Sequence, residues 1–211
     1  MTGALVKICG MRDGLNVTEV CAEGPDFLGF VFVSGSPRCA AGLVSRDTMA
    51  GVPQHIKKIG VFRDEELPVV LDCIAELGLD GVQLHGGEDA SYALNIKKHS
   101  PGAFILKAVE VATGSNIHSL TTMHGIDMFL LDSGAGGTGV SFDWSLLQNY
   151  RSSVPFLLAG GLSEKHIEAA LELMATVPQC RGIDVNSKVE ISPGVKNIEL
   201  VRQIIRRVRG V

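Results

Sequence analysis

The chain has 211 residues, 45% of them hydrophobic and 20% charged, which is the size of one domain, two at most, with enough apolar material for one large core. No uncharged apolar stretch reaches the roughly 18 residues of a membrane span, and the net charge of -4 excludes the basic surface by which a domain grips nucleic acid. The five cysteines are odd in number, widely spaced and without a CxxC pair, which speaks against a disulfide framework or zinc site and for a reducing, cytoplasmic compartment.

Short apolar runs alternate with helical patterns from end to end. The opening segment, with Lys7 and Arg12 beside a brief apolar run, reads as a first strand and not as a secretory signal. Strands are predicted at Leu5–Cys9, Phe27–Phe32, Lys58–Phe62, Val82–His85, Ile105–Val109, Met128–Asp132, Phe156–Ala159 and Ile183–Asn186. Continuous apolar runs of this length suit parallel strands covered on both faces. Helices are predicted over Asp13–Glu23, stopped by Gly24 and Pro25, and over Asp64–Leu77, closed by Gly78. The segment Val111–Gly125 is rich in Ser, Thr and Gly and predicts a short or irregular fifth helix. Ser163 starts a helix with Ile167, Ala170, Leu171 and Met174 on one face. In the last helix Val201, Ile204, Ile205 and Val208 share a face, with Arg202, Arg206, Arg207 and Arg209 on a solvated one. Cys21, Cys39 and Cys73 read as small apolar residues at least half buried, and Cys180 as a loop residue.

Eight βα units in one chain predict a single compact (β/α)8 barrel over residues 1–211, of the α/β class. The alternative is an open doubly wound sheet. It is disfavoured because no GxGxxG follows the first strand and the glycine loops fall late in the chain.

In such a barrel the site forms at the C-terminal strand ends, and polar residues gather there. Cys9 ends strand one, His85 strand four and Asp132 strand six, while Asp184 and Asn186 lie in strand eight. Alternation puts Gln83 on the face of His85 and Lys7 on that of Cys9. Each has a plainer reading: a packed thiol, a turn-capping aspartate, a hydrogen-bonded structural histidine. Glycines follow strands six to eight: Gly134–Gly139 (with Gly137), Gly160-Gly161, then Ser187 and Gly194. Their N–H groups, near helix starts, suit a phosphate. No Walker pattern and no metal-ligand spacing occurs, so neither cofactor nor metal is expected. The residues alone thus indicate a phosphosugar ligand. A non-catalytic binding barrel and thiol chemistry at Cys9 remain as alternatives.

The motifs also resemble, in order, the phosphoribosylanthranilate isomerase family. They are Lys7-Ile8-Cys9-Gly10, Gly29-Phe30-Val31-Phe32, Ser36-Pro37-Arg38, Gly81-Val82-Gln83-Leu84-His85-Gly86, Leu131-Asp132 and Gly137-Thr138-Gly139. Phe142-Asp143-Trp144, Leu158–Leu162, Gly182–Ser187, Val189-Glu190 and Pro193–Lys196 continue the series. The resemblance spans nearly the whole chain. It implies an Amadori rearrangement of N-(5'-phosphoribosyl)anthranilate in tryptophan biosynthesis, by a monomer or homodimer. Asp132 would be the acid and Cys9 the base, the latter brought down by a cation such as Lys7. Arg38 would meet the anthranilate carboxylate. Gln83, His85 and Asp184 would meet the rest of the substrate, and Gly137, Gly160, Gly161, Asn186 and Ser187 its phosphate. The histidine-pathway aldose–ketose isomerase, a neighbouring family, uses carboxylates at both proton-transfer positions. Two departures stand out. Lys188 replaces a glycine common in the family, which would disturb the turn if it needs a positive φ, or add a cation near the phosphate. Asn197 replaces an aspartate, and both cap helices well.

Overall fold

The structure is a computed structural model that describes residues 3–111, 120, 123–132 and 144–210. Among them eight parallel strands, each hydrogen-bonded to the next and the last to the first, close a barrel. The strands are β1 (Leu5–Ile8), β2 (Phe27–Val31), β3 (Lys57–Phe62), β4 (Gly81–Leu84), β5 (Phe104–Glu110), β6 (Met128–Asp132), β7 (Phe156–Ala159) and β8 (Cys180–Val185). A small antiparallel pair, β9 (Glu190–Ser192) and β10 (Val195–Lys196), follows β8. The helices are α1 (Gly14–Ala22), α2 (Arg46–Ala50), α3 (Leu67–Leu77), α4 (Ala90–His99), α5 (Ile167–Thr176) and α6 (Ile198–Arg209). No helix of the described residues is long and apolar enough to cross a membrane.

Strand alternation sorts the core. Phe27, Ile59, Leu106, Met128, Leu130 and Leu157 point inward and form one apolar cluster inside the barrel. Their neighbours Leu28, Ile105, Phe129, Leu131, Phe156 and Leu158 belong to a larger cluster shared with the helices. Both faces of each strand are therefore buried, which is why the runs are continuously apolar. Above the inner layer lies a third patch of Cys9, Val31 and Val61. It is the floor of the site.

The helix ends follow their local chemistry. Asp13 caps α1 by accepting from Asn16 N, and Gly78 closes α3 in the left-handed conformation at φ 60. Asn197 caps α6 through Leu200 N, as the substitution of amide for carboxylate predicts. Ser163 caps a 3-10 turn, Glu164–His166, whose His166 Nδ1 accepts the Ser163 N–H, before α5 begins. In α6, Val201, Ile204, Ile205 and Val208 are buried as predicted. Its arginines do more than meet solvent: Arg202 pairs with Glu23 of the α1 end, and Arg207 with Glu164 and Glu168.

Three expectations are corrected or displaced. Cys180 is no loop residue; it opens β8 and is buried, which pushes its thiol up to about 12. The eighth strand begins three positions before Ile183, because the polar Arg181 and small Gly182 hide it from an apolar-run search. Most of Val111–Gly125, the predicted irregular helix, lies outside the described residues.

Candidate active site

A cavity of ≈ 540 Å³ opens at the C-terminal strand ends, within the size range of small-molecule sites. Every site residue predicted from the sequence lines it except Gly137, which lies outside the described residues. Cys9 enters from the end of β1, Arg38 from the loop after β2, Gln83 and His85 from β4 and its end, and Asp132 from β6. Gly160 and Gly161 follow β7, and Asp184, Asn186 and Ser187 come from the end of β8 and beyond.

Cys9 sits one residue past β1, its N–H donating to Val185 O at 2.9 Å. Two glycines make its place. Gly10 turns the chain at φ 79, and a Cβ there would lie 2.5 Å from Asn186 Oδ1. At Gly29 of β2 a Cβ would lie 2.7 Å from Cys9 Sγ and 3.2 Å from Lys7 Nζ. The thiol and a wholly buried ammonium therefore share the space a side chain would fill. Lys7 Nζ donates to Asp184 Oδ1 at 2.8 Å and interacts with the Cys9 sulfur as well. Burial pulls Lys7 down, but Asp184 and then Cys9 outweigh it and the net direction is up. Asp184 is pushed up by burial against the pull of Lys7. The partners thus move the same way. With a 2.8 Å contact and Lys7 sealed from water, we take the charged pair as the resting state.

The predicted cation beside Cys9 is present, but its expected outcome is corrected. Cys9 is only 4% exposed. Burial pushes its thiol up; Lys7 and Lys196 pull it back, Asp184 raises it further, and the net direction is up. Low dielectric outweighs the nearby charge.

Asp132 ends β6 in register with Ala159 of β7 and Glu110 of β5, half-buried at the cavity wall. His85 reaches the open cavity, with Nδ1 3.1 Å from Gln83 Nε2. The imidazole lies below its ordinary value, first through desolvation and against the opposing pull of Asp132, and is neutral at pH 7. Gln83 Oε1 is a buried side-chain atom without a hydrogen-bond partner among the described residues. Turning the amide would put Oε1 on His85 Nδ1 and leave the nitrogen unpaired, so the site holds one unmet amide group either way.

Arg38 presents its fork to Glu190: Nε lies 2.9 and 3.1 Å from the two carboxylate oxygens and Nη2 2.7 Å from Oε2. Arg38 Nη1 makes no hydrogen bond among the described residues. Burial would raise Glu190, but hydrogen bonds from Arg38, Lys196 and Gly194 N–H prevail and hold it at about 2. Lys196, wholly buried, also donates to Asn186 Oδ1 at 2.9 Å. Gly160 and Gly161 take φ 90 and 64, which glycine adopts without strain. Asp64 is the only positive-φ residue other than glycine among the described residues. Lys188 therefore needs no glycine freedom; it lies in the 3-10 turn Ser187–Val189, exposed at the cavity mouth.

Sequence reasoning missed the supports of this site. Glu190 and Lys196 appeared only as motif letters, and Lys107 with Glu88 not at all. Lys107 Nζ donates to Glu88 Oε2 at 3.0 Å and to Gly86 O at 2.6 Å, and Glu88 accepts from Asp64 and Gly86 N–H. This buried pair anchors the loop that carries His85. Its signal was a lysine inside an apolar strand, a position that requires a buried partner.

The closed barrel and its cavity at the C-terminal strand ends define the class: a (β/α)8-barrel enzyme. Residues 6–207 match the model of a family described as N-(5'phosphoribosyl)anthranilate (PRA) isomerase. The chain is 34% identical to the N-(5'-phosphoribosyl)anthranilate isomerase of Parabacteroides distasonis, over 97% of this chain and 93% of that protein. It is 35% identical to the one of Caldanaerobacter subterraneus, over 98% of each. The crystal structure of phosphoribosyl anthranilate isomerase from Thermotoga maritima superposes with a TM-score of 0.84 at 30% identity, covering 99% of this chain and 100% of that one. A phosphoribosyl anthranilate isomerase in complex with reduced 1-(o-carboxyphenylamino)-1-deoxyribulose 5-phosphate gives a TM-score of 0.75 at 28% identity, over 99% of this chain and 100% of that one. The chain belongs to the N-(5'-phosphoribosyl)anthranilate isomerase family.

Proposed function

We infer that this chain isomerises N-(5'-phosphoribosyl)anthranilate to 1-(2-carboxyphenylamino)-1-deoxyribulose 5-phosphate in tryptophan biosynthesis, with Cys9 and Asp132 as its proton-transfer groups. The observation that carries the reading is the placement of the Cys9 thiol and the Asp132 carboxyl at strand ends of a single cavity that the left-handed Gly160 and Gly161 also line. Asp132 gives its proton to the furanose ring oxygen. The C1'–O bond breaks and a Schiff base forms at the anthranilate nitrogen. Cys9 then takes the C2' proton; the C2'–H bonding pair forms the C1'–C2' double bond of an enolamine while the C1'–N π pair returns to the anthranilate nitrogen. Protonation at C1' and loss of the O2' proton give the ketone. Arg38, held by Glu190, offers Nη1 to the anthranilate carboxylate, while Gly160, Gly161, Gly137, Asn186 and Ser187 receive the phosphate. Gln83 and His85 stand between them and meet the sugar. The working form is a cytoplasmic monomer or homodimer that needs no nucleic acid and no membrane. The purified protein should turn over phosphoribosylanthranilate. Turnover only of the histidine-pathway aldose, or of neither compound, overturns the reading.

The chemistry uses only side-chain protons, and no three His, Cys, Asp or Glu side chains among the described residues could hold a metal ion. Dialysis against a strong chelator is therefore expected to leave kcat unchanged; a loss restored by one added metal refutes this. A bulky residue at the phosphate turn is expected to act on binding. Gly161 has open space around it but φ 64, so Gly161→Val both strains the turn and covers its N–H groups. KM is expected to rise about tenfold or more with a smaller change in kcat, as for the loss of a charge-assisted contact worth roughly 1.5–3 kcal/mol. An unchanged KM, with inorganic phosphate still inhibiting equally, places the phosphate elsewhere.

A further inference from the structure

We propose that the Lys7–Asp184 ion pair sets how strongly Cys9 holds a proton, and that Asp184 acts through Lys7 as a positioning residue instead of binding substrate. The inference rests on Cys9 being the base. It starts from geometry. Lys7 Nζ and Cys9 Sγ lie in the same space over Gly29, and the ammonium is clamped to Asp184 Oδ1 at 2.8 Å with no route to water. Asp184 Oδ1 is thereby spent inside the barrel.

Among the described residues, the charged groups shown to act on Cys9 are few. Lys7 lies on its own strand, Asp184 on β8, Lys196 on β10, and Arg38 on the loop after β2. The side chains of β2 and β3 that touch it, Val31 and Val61, are apolar. Asp132 on β6 lines the same cavity and raises Asp184. Three cations thus surround one thiol, and alone they would make a stable, feeble thiolate. Glu190 already takes Lys196 and Arg38. Asp184 does the same for Lys7, so the thiol keeps enough basicity to pull a proton from carbon.

This arrangement makes an unusual demand on pH profiles. Removing the Asp184 charge leaves Lys7 to Cys9 alone, which favours the thiolate but weakens it. Asp184→Asn is expected to move the thiolate midpoint of Cys9 down by about one pH unit. Below both midpoints the thiolate is then about tenfold more abundant, yet each thiolate is about threefold less reactive, from a Brønsted slope of about 0.4–0.5. Alkylation of Cys9 by iodoacetamide, followed by mass spectrometry of its peptide, should run about threefold faster at the acidic end and about threefold slower on the alkaline plateau. The pH dependence of kcat should show the same crossing of variant and parent curves. Lys7→Met should move the midpoint up. The double variant Lys7→Met/Asp184→Asn carries neither charge, so its midpoint should fall between those of the two single variants.

A role confined to packing would lower rates at all pH values without moving the midpoint. A midpoint that stays or rises in Asp184→Asn overturns the proposal. So does a lowered midpoint with an unchanged kcat profile, provided Cys9→Ala is inactive. If Cys9→Ala retains turnover, the base assignment itself has failed, and the alkylation midpoints still report what the pair does to the thiol. A cooperative melt of each variant separates these results from unfolding.

Discussion

Cys9→Ala is expected to lower kcat by about 10²–10⁴-fold, the span of a general base, while binding a reduced product analogue nearly as well as the parent. Cys9 lies on the cavity floor and its sulfur contacts little that a bound sugar would need in the ground state. Its contribution falls in the transition state, when the C2' proton leaves carbon. Burial holds the thiol up, so the resting group at pH 7 is largely the thiol, and turnover should climb with pH until the thiolate saturates. The alanine variant should show no such climb. Cys9→Asp is expected to recover measurable turnover, since a carboxylate also accepts a proton from carbon if it reaches. The measurement is kcat over a pH range together with analogue titration and a melt. Near-normal kcat in a folded Cys9→Ala protein removes Cys9 from the mechanism. Alkylation bears on the same point. A thiol only 4% exposed and raised by its surroundings reacts more slowly than an activated one, and half-buried Cys39 competes with it. Protection by a bound analogue, not speed, is the mark of Cys9.

The barrel was legible because each strand is buried on both faces and so announces itself as an apolar run. Where that condition weakens, the reading weakens. β8 opens on Cys180, Arg181 and Gly182, and its first half was missed. The short α2 has five residues, too few for a periodic signal. Helix α4, Ala90–His99 with Asp89 as its cap, buries only Ala93 and Ile96, too narrow an apolar stripe to stand out in the sequence. The site was legible for one reason only: a parallel barrel collects its polar residues at strand ends. That rule finds Cys9, His85, Asp132 and Asp184. It says nothing of how they are held. Glu190, Lys196 and the Lys107–Glu88 pair are distant in sequence from what they support, and only the closed barrel brings them together. The same limit explains the thiol. A lysine two residues from Cys9 predicts a lowered value, but the cost of burial and the charge on Asp184 are properties of the fold.

Asp132→Asn is expected to lower kcat by about 10²–10⁴-fold, far more than His85→Asn. The two changes are closely matched in kind. Each leaves an amide at a strand end that faces the cavity, and each keeps a side chain of similar reach. They differ in what they remove. Asparagine has no proton to give at neutral pH, so the ring oxygen must leave as an alkoxide or take its proton from water. Loss of His85 removes one hydrogen bond to Gln83 at 3.1 Å and one neutral contact to the sugar. Neutral hydrogen bonds are worth about 0.5–1.5 kcal/mol each, or about two- to twelvefold in rate. The Gln83 amide, already short of one partner, would lose its remaining one, which adds to the cost without approaching that of a missing acid. Steady-state kinetics of both variants on phosphoribosylanthranilate decide the matter. Equal losses in kcat would mean that another group protonates the ring oxygen.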